Sequence, residues 1–168
     1  MFKVSVRALT FVTVFVSTQL FSATGLANQP YPTGPDQSMT PGSVCSRPTE
    51  YRYPEHIPYC ERNVDTALKR EIFKDYDRKL GFSTTTMNRQ DFKIDHFIPL
   101  CAGGSNEVDN LWPQHKSVYE LTDPLEPLVC EKMSQGTLKQ KDAIEMIRKA
   151  KLDLSQVDAV LEALQALQ

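Results

Sequence analysis

The stretch Lys93 to Lys116, "KIDHFIPLCAGGSNEVDNLWPQHK", limits the fold more than any other part of the chain. Gly103 and Gly104, followed by Ser105, Asn106 and Asp109, are turn formers that neither a helix nor a strand interior accommodates. Before them, "DFKIDHFIPL" carries Phe92, Ile94, Phe97 and Ile98 in a pattern that predicts a short strand. After them, "LWPQ" predicts a brief extended piece, because the residue before Pro113 is pushed toward β geometry. Asp95 and His96 then stand side by side at the end of a strand, and Asn110 follows His96 by fourteen residues.

Helical patterns flank this block. "NVDTALKREIFKDYDRKLG" spaces Val64, Leu68, Ile72, Phe73, Tyr76 and Leu80 at the helical period and stops at Gly81. Its other face carries Arg62, Lys69, Arg70, Lys74, Arg78 and Lys79, which is a solvated face by default and also the most basic stretch for phosphate contacts. Downstream, Asp123 as N-cap, Pro124 at the first helical position and Glu126 predict a helix. Thr137 with Gln140, and Ser155 with Asp158, predict two more. The fold class is α+β and mostly helical. The proline-rich residues 28–42 read as a flexible tail, and the segment on to about Pro58 as an irregular arm with His56 an ordinary exposed histidine. One domain, 43–168, remains.

Met1 to Ala27 has the layout of a secretory signal: Lys3 and Arg7, the apolar "ALTFVTVFVSTQLFS", and "GLA" before the expected cleavage. Its apolar centre is interrupted by polar residues and short of the about 20 residues that a bilayer span needs. The expectation is a secreted or periplasmic protein with no membrane attachment after cleavage. Cys45, Cys60, Cys101 and Cys130 are an even set suited to an oxidising compartment, and the absence of a CxxC pair argues against a thiolate zinc site. Of the three possible pairings, proximity favours Cys45 with Cys60 and Cys101 with Cys130. Without the basic leader residues Lys3 and Arg7, the 19 basic side chains become 17 against 21 acidic ones. That balance is not the strongly basic one of non-specific nucleic-acid binders, so any polyanion must be held by a local patch or a metal.

Within the block, a carboxylate beside an imidazole supplies a hard oxygen ligand for a divalent ion and a base that works near neutral pH. Hydrolysis of a phosphodiester needs both. Taken singly, each residue has a structural reading: Asp95 a loop cap, His96 a satisfied buried histidine, Trp112 core, Lys116 surface. Their joint spacing carries the functional one.

The run "DHFIPLCAGGSNEVDNLWPQ" resembles the HNH endonuclease family, the ββα-metal or His-Me finger nucleases, whose pattern is Asp-His, Pro, a Gly-Gly loop and Asn-Leu. "ERNVDTALKREIFKDYD" and "DPLEPLVC" resemble the flanks of small exported members, so the similarity covers roughly Val44 to Ala150. The resemblance implies a ββα-metal core at about 91–135. It makes His96 the general base, Asp95 a metal ligand and Asn110 the residue that holds base and loop in place. It also implies one divalent ion, Mg²⁺ or Mn²⁺, with Ni²⁺ and Zn²⁺ as further candidates, and DNA or RNA as substrate. Lys93 and Lys116 are then candidate phosphate contacts. The family pattern breaks at Tyr119, where a second ligand is usual. His115 is the first alternative there, Glu120 the next, and Asp123 reads as a cap. Two rivals stand beside this expectation: an inactive HNH-fold module that binds nucleic acid, and a disulfide-stapled envelope protein.

Overall fold

The computed structural model describes residues 29–168; the expected leader, Met1 to Ala27, lies outside the described residues. The fold is α+β, with two small antiparallel hairpins and five α-helices among the described residues. Strands β1 (Glu50–Arg52) and β2 (Ile57–Tyr59) form the first hairpin, turning through Tyr53 and His56 at positive φ. Helix α1 (Thr66–Leu80) starts where the Asp65 side chain accepts from the Leu68 amide, and ends at Gly81 with φ of 77°. That left-handed residue is the stop the glycine signalled.

The second hairpin is the one the turn residues demand. Strand β3 (Phe92–His96) pairs with β4 (Leu111–His115), Phe92 opposite His115, Asp95 opposite Trp112 and His96 opposite Leu111. Helices α2 (Lys116–Thr122), α3 (Leu125–Ser134), α4 (Gln140–Leu152) and α5 (Val157–Ala166) follow. The sequence pattern foresaw the last three. It missed α2, which starts directly on β4 because His115 caps it, accepting from the Ser117 amide. Asp123 ends α2 and its side chain caps nothing; it takes the Lys93 ammonium instead.

Two apolar clusters make the core. One gathers Ile72, Phe73 and Tyr76 of α1 with Phe92, Ile94, Leu111 and Trp112 of the second hairpin. The other gathers α3, α4 and α5 around Leu125, Val129, Ile147, Val160 and Leu164, with Ile98 and Ala102 from the loop. The end of β3 lies where the clusters meet.

Residues 29–42 are not the loose tail that their composition suggested. Tyr31 stacks on His115 at 3.9 Å, Ser83 donates to the Pro30 carbonyl, and the Thr40 hydroxyl donates to the Leu111 carbonyl at 3.1 Å. Proline lowers the entropy lost when such a segment docks, so a sequence too polar to build a core can still strap across one. The arm that follows is similarly tied. Cys45 bonds Cys60, Cys101 bonds Cys130, and Val44 bridges Gly104, so the first disulfide anchors the arm against the loop.

The loop itself is closed from inside by Asn110. Its amide oxygen accepts from the Ile98 amide at 2.8 Å, while its nitrogen donates to the carbonyls of Ile98 (3.0 Å) and Ser105 (2.9 Å). A side chain on Gly104 would overlap the Ile98 carbonyl. All three groups are buried and have no water to turn to, so we predict that Asn110→Ala destabilises the oxidised protein by roughly 3–5 kcal/mol, read as a lower urea midpoint at unchanged slope. A loss under about 1 kcal/mol would contradict the closure described.

Candidate functional site

His96 ends β3 with 3% of its surface exposed, and its Nε2 lies 3.1 Å from the Asn106 side-chain oxygen. That amide cannot be turned around. Its nitrogen donates to the Glu61 carbonyl at 2.8 Å, and its oxygen also accepts from the Asn63 amide at 3.2 Å. Nε2 is therefore the protonated nitrogen of the neutral ring, and Nδ1 carries the lone pair. Nδ1 has no hydrogen-bond partner among the described residues. Burial, with Arg62 and Lys151 nearby, pushes the imidazole down to about 4 despite the Asn106 bond and Asp95. The ring is therefore neutral across the physiological range, with the Nδ1 lone pair free.

His96 and Asp95 share a pocket of about 140 Å³ with Arg62, Pro99, Leu100, Glu126 and the Cys101–Cys130 bridge. Arg62 is its exposed cation. The guanidinium is held by a bond to the Ile94 carbonyl at 3.2 Å, and it also lines a wider neighbouring cleft of about 420 Å³ with Arg47 and Asn106. Of the two arginines along this surface, Arg62 has no carboxylate partner among the described residues and Arg47 lies 3.7 Å from Glu107; guanidinium N–H groups suit the oxygens of a phosphate chain.

Asp95 is occupied. One carboxylate oxygen takes the Lys151 ammonium at 2.6 Å, and the other lies 3.5 Å from Lys93. Burial alone would raise its pKa, but the charges of Lys151 and then Lys93 hold it below the usual carboxylate range. Lys151 is 1% exposed and donates as well to the His96 carbonyl (2.7 Å) and to Glu126 (3.0 Å).

The structure brings together Asp95, His96 and, through the loop backbone, Asn110. It does not bring His115 to them. The ladder register sets His115 three pairs away from Asp95, roughly 10 Å along the strands. Its Nδ1 is spent on Ser117 and its ring lies between Tyr31 and Phe92. Tyr119 packs against the Lys93 ammonium at 5.1 Å, and Glu120 is exposed on α2. Lys93 is engaged with Asp123 (2.5 Å) and Lys116 with Asp91 (3.0 Å), so neither is a free phosphate contact.

The oxygens that could hold the divalent ion that the resemblance implies are taken: Asp95 by Lys151 and Lys93, and Glu126 by Lys151. Among the described residues, no three His, Cys, Asp or Glu side chains converge to hold one. Three participants escaped the sequence reading: Lys151, Asn106 and, as a pocket residue, Arg62. Lys151 had a visible signal, since it shares the apolar stripe of α4 with Ala143, Ile147 and Ala150, where a solvated lysine does not belong. Asn106 looked like any turn asparagine. Comparison with known protein families, with curated proteins and with solved structures finds no match.

The His96 shift has a definite sign. Between about 4 and the ordinary 6.5, the unfolded chain takes up a proton at this position that the folded chain refuses. Stability must therefore fall as pH falls through that window, by at most about 1.4 kcal/mol per pH unit from this group. Urea titrations at stepped pH should show a shallower acid-side decline in His96→Gln than in the native protein. Equal slopes would contradict a neutral buried His96.

Proposed function

We propose that the chain is an exported phosphodiester hydrolase acting on nucleic acid, with His96 as general base. The observation that carries this reading is the fixed tautomer of His96: Asn106 holds Nε2–H, which leaves the Nδ1 lone pair free on a ring that lines the same pocket as Arg62. Nδ1 would take a proton from water as that water attacks phosphorus, while the P–O bond to the leaving sugar oxygen breaks and that oxygen takes a proton from solvent. Arg62 would meet the charge that develops on the phosphate oxygens, a contribution that held donors make. Arg47 would hold the adjoining backbone. Asp95, the carboxylate beside His96, is engaged by Lys151 and Lys93.

Several features support the setting. Two disulfides suit an oxidising compartment, no helix among the described residues is long and apolar enough to cross a membrane, and the leader pattern supports secretion or delivery to the periplasm. The resemblance of "DHFIPLCAGGSNEVDNLWPQ" to HNH endonucleases supports the substrate class.

A second reading is favoured by the engagement of Asp95 with Lys151: a module that binds nucleic acid through Arg47 and Arg62 without cutting it. Plasmid DNA and single-stranded RNA incubated with the oxidised protein, with Mg²⁺ or Mn²⁺ and with chelator, separate the two. Hydrolysis that falls by about a hundredfold or more in His96→Ala is the expected result. Retained binding with no cleavage under any condition would replace the first reading with the second.

A further inference from the structure

Lys151 is the one buried lysine or arginine among the described residues, and its surroundings are unusual for an ammonium in a core. Three oxygens surround Nζ: the Asp95 carboxylate at 2.6 Å, the His96 carbonyl at 2.7 Å and the Glu126 carboxylate at 3.0 Å. An ammonium has three protons, and all three find an acceptor. Two carboxylates and a backbone carbonyl are also the kind of oxygen set that hard divalent cations take. We propose that the Lys151 ammonium is the resident cation of this site, standing in the place where a divalent ion would otherwise sit between Asp95 and Glu126.

The geometry leaves an ion no easy way in. Asp95 and Glu126 line the pocket, and Lys151 lies behind them. The lysine is fixed on α4, whose backbone there is packed so closely that a side chain at Gly34 would come within 2.7 Å of the Lys151 carbonyl. Lys93 adds a second positive charge on the far carboxylate oxygen of Asp95, so an entering dication would meet repulsion as well as occupied donors. Asp95 is in consequence a positioning residue. It and the lysine fix the carbonyl of His96, and with it the end of β3 that presents the imidazole. The charge of the site is then set by folding and not by the supply of metal.

Calorimetric titration with Mn²⁺ and thermal melts with Mn²⁺ or EDTA test this on the oxidised protein. The native chain should show no stoichiometric Mn²⁺ site and a Tm that neither reagent moves. Lys151→Ala should melt lower, gain one stoichiometric Mn²⁺ site, and recover part of its Tm when Mn²⁺ is present. Lys151→Met combined with Asp95→Asn removes the lysine and one carboxylate together, and should fold without gaining a site. One Mn²⁺ bound by the native chain and lost in Asp95→Asn would overturn the proposal, however Lys151→Ala behaves. So would a Lys151→Ala protein that folds as stably as the native chain or gains no affinity for Mn²⁺. Neither arm reads cleavage, so failure of the hydrolase reading would leave this result interpretable by itself.

Discussion

The ammonium of Lys151 inside the core is the interaction on which the arrangement of the site depends. It joins α4 to the last residues of β3 and to α3, and so links the two apolar clusters, since Phe92 and Ile94 of β3 pack in one and α3 and α4 in the other. Desolvating an ammonium and two carboxylates costs several kcal/mol per ion, and only complete pairing offsets it. The pairing is complete here, which gives the contact its specificity. If the hairpin slipped by one residue, Asp95 would leave Nζ and a buried charge would stand unpaired. A leucine in place of Lys151 would bury as well but would not discriminate between registers.

The same region is held from the other side by neutral groups. Asn110 closes the loop after β3 onto the Ile98 backbone, the arm at Val44 bridges Gly104, and the Cys101–Cys130 bridge ties the turn after Pro99 to α3. His96 is thus fixed at its carbonyl by a lysine, at its Nε2 by Asn106 and at the following turn by a covalent bond. What stays unspent on the ring is the Nδ1 lone pair, and in the same pocket stand the guanidinium N–H groups of Arg62 that the Ile94 carbonyl does not take.

Much of this was legible in the sequence. Asp95, His96, the Gly103–Gly104 loop and Asn110 could be placed because strand and turn signals are local, and α1 because its period, cap and glycine stop agree. The pairing of the four cysteines followed from their spacing. The rest depended on contacts distant along the chain. Lys151 is 56 residues from Asp95, and only its place on an apolar stripe hinted at burial. Asn106 serves His96 through the backbone of residues 61 and 63, which nothing in a turn sequence announces. Residues 29–42 dock because Tyr31 finds His115, a pairing that composition cannot show. The expectation that His115 faced Asp95 came from a resemblance in spacing, and the ladder register decides otherwise.

The central claim is that the cation at Asp95 belongs to the chain. It is tested most directly by following the Lys151 side-chain nitrogen in ¹⁵N-labelled protein, with and without saturating Mg²⁺. A buried ammonium with three acceptors should give a slowly exchanging NH₃⁺ resonance that Mg²⁺ leaves in place and that Asp95→Asn shifts. Absence of that resonance, or its displacement when Mg²⁺ is added, would show that the lysine yields its position to an ion.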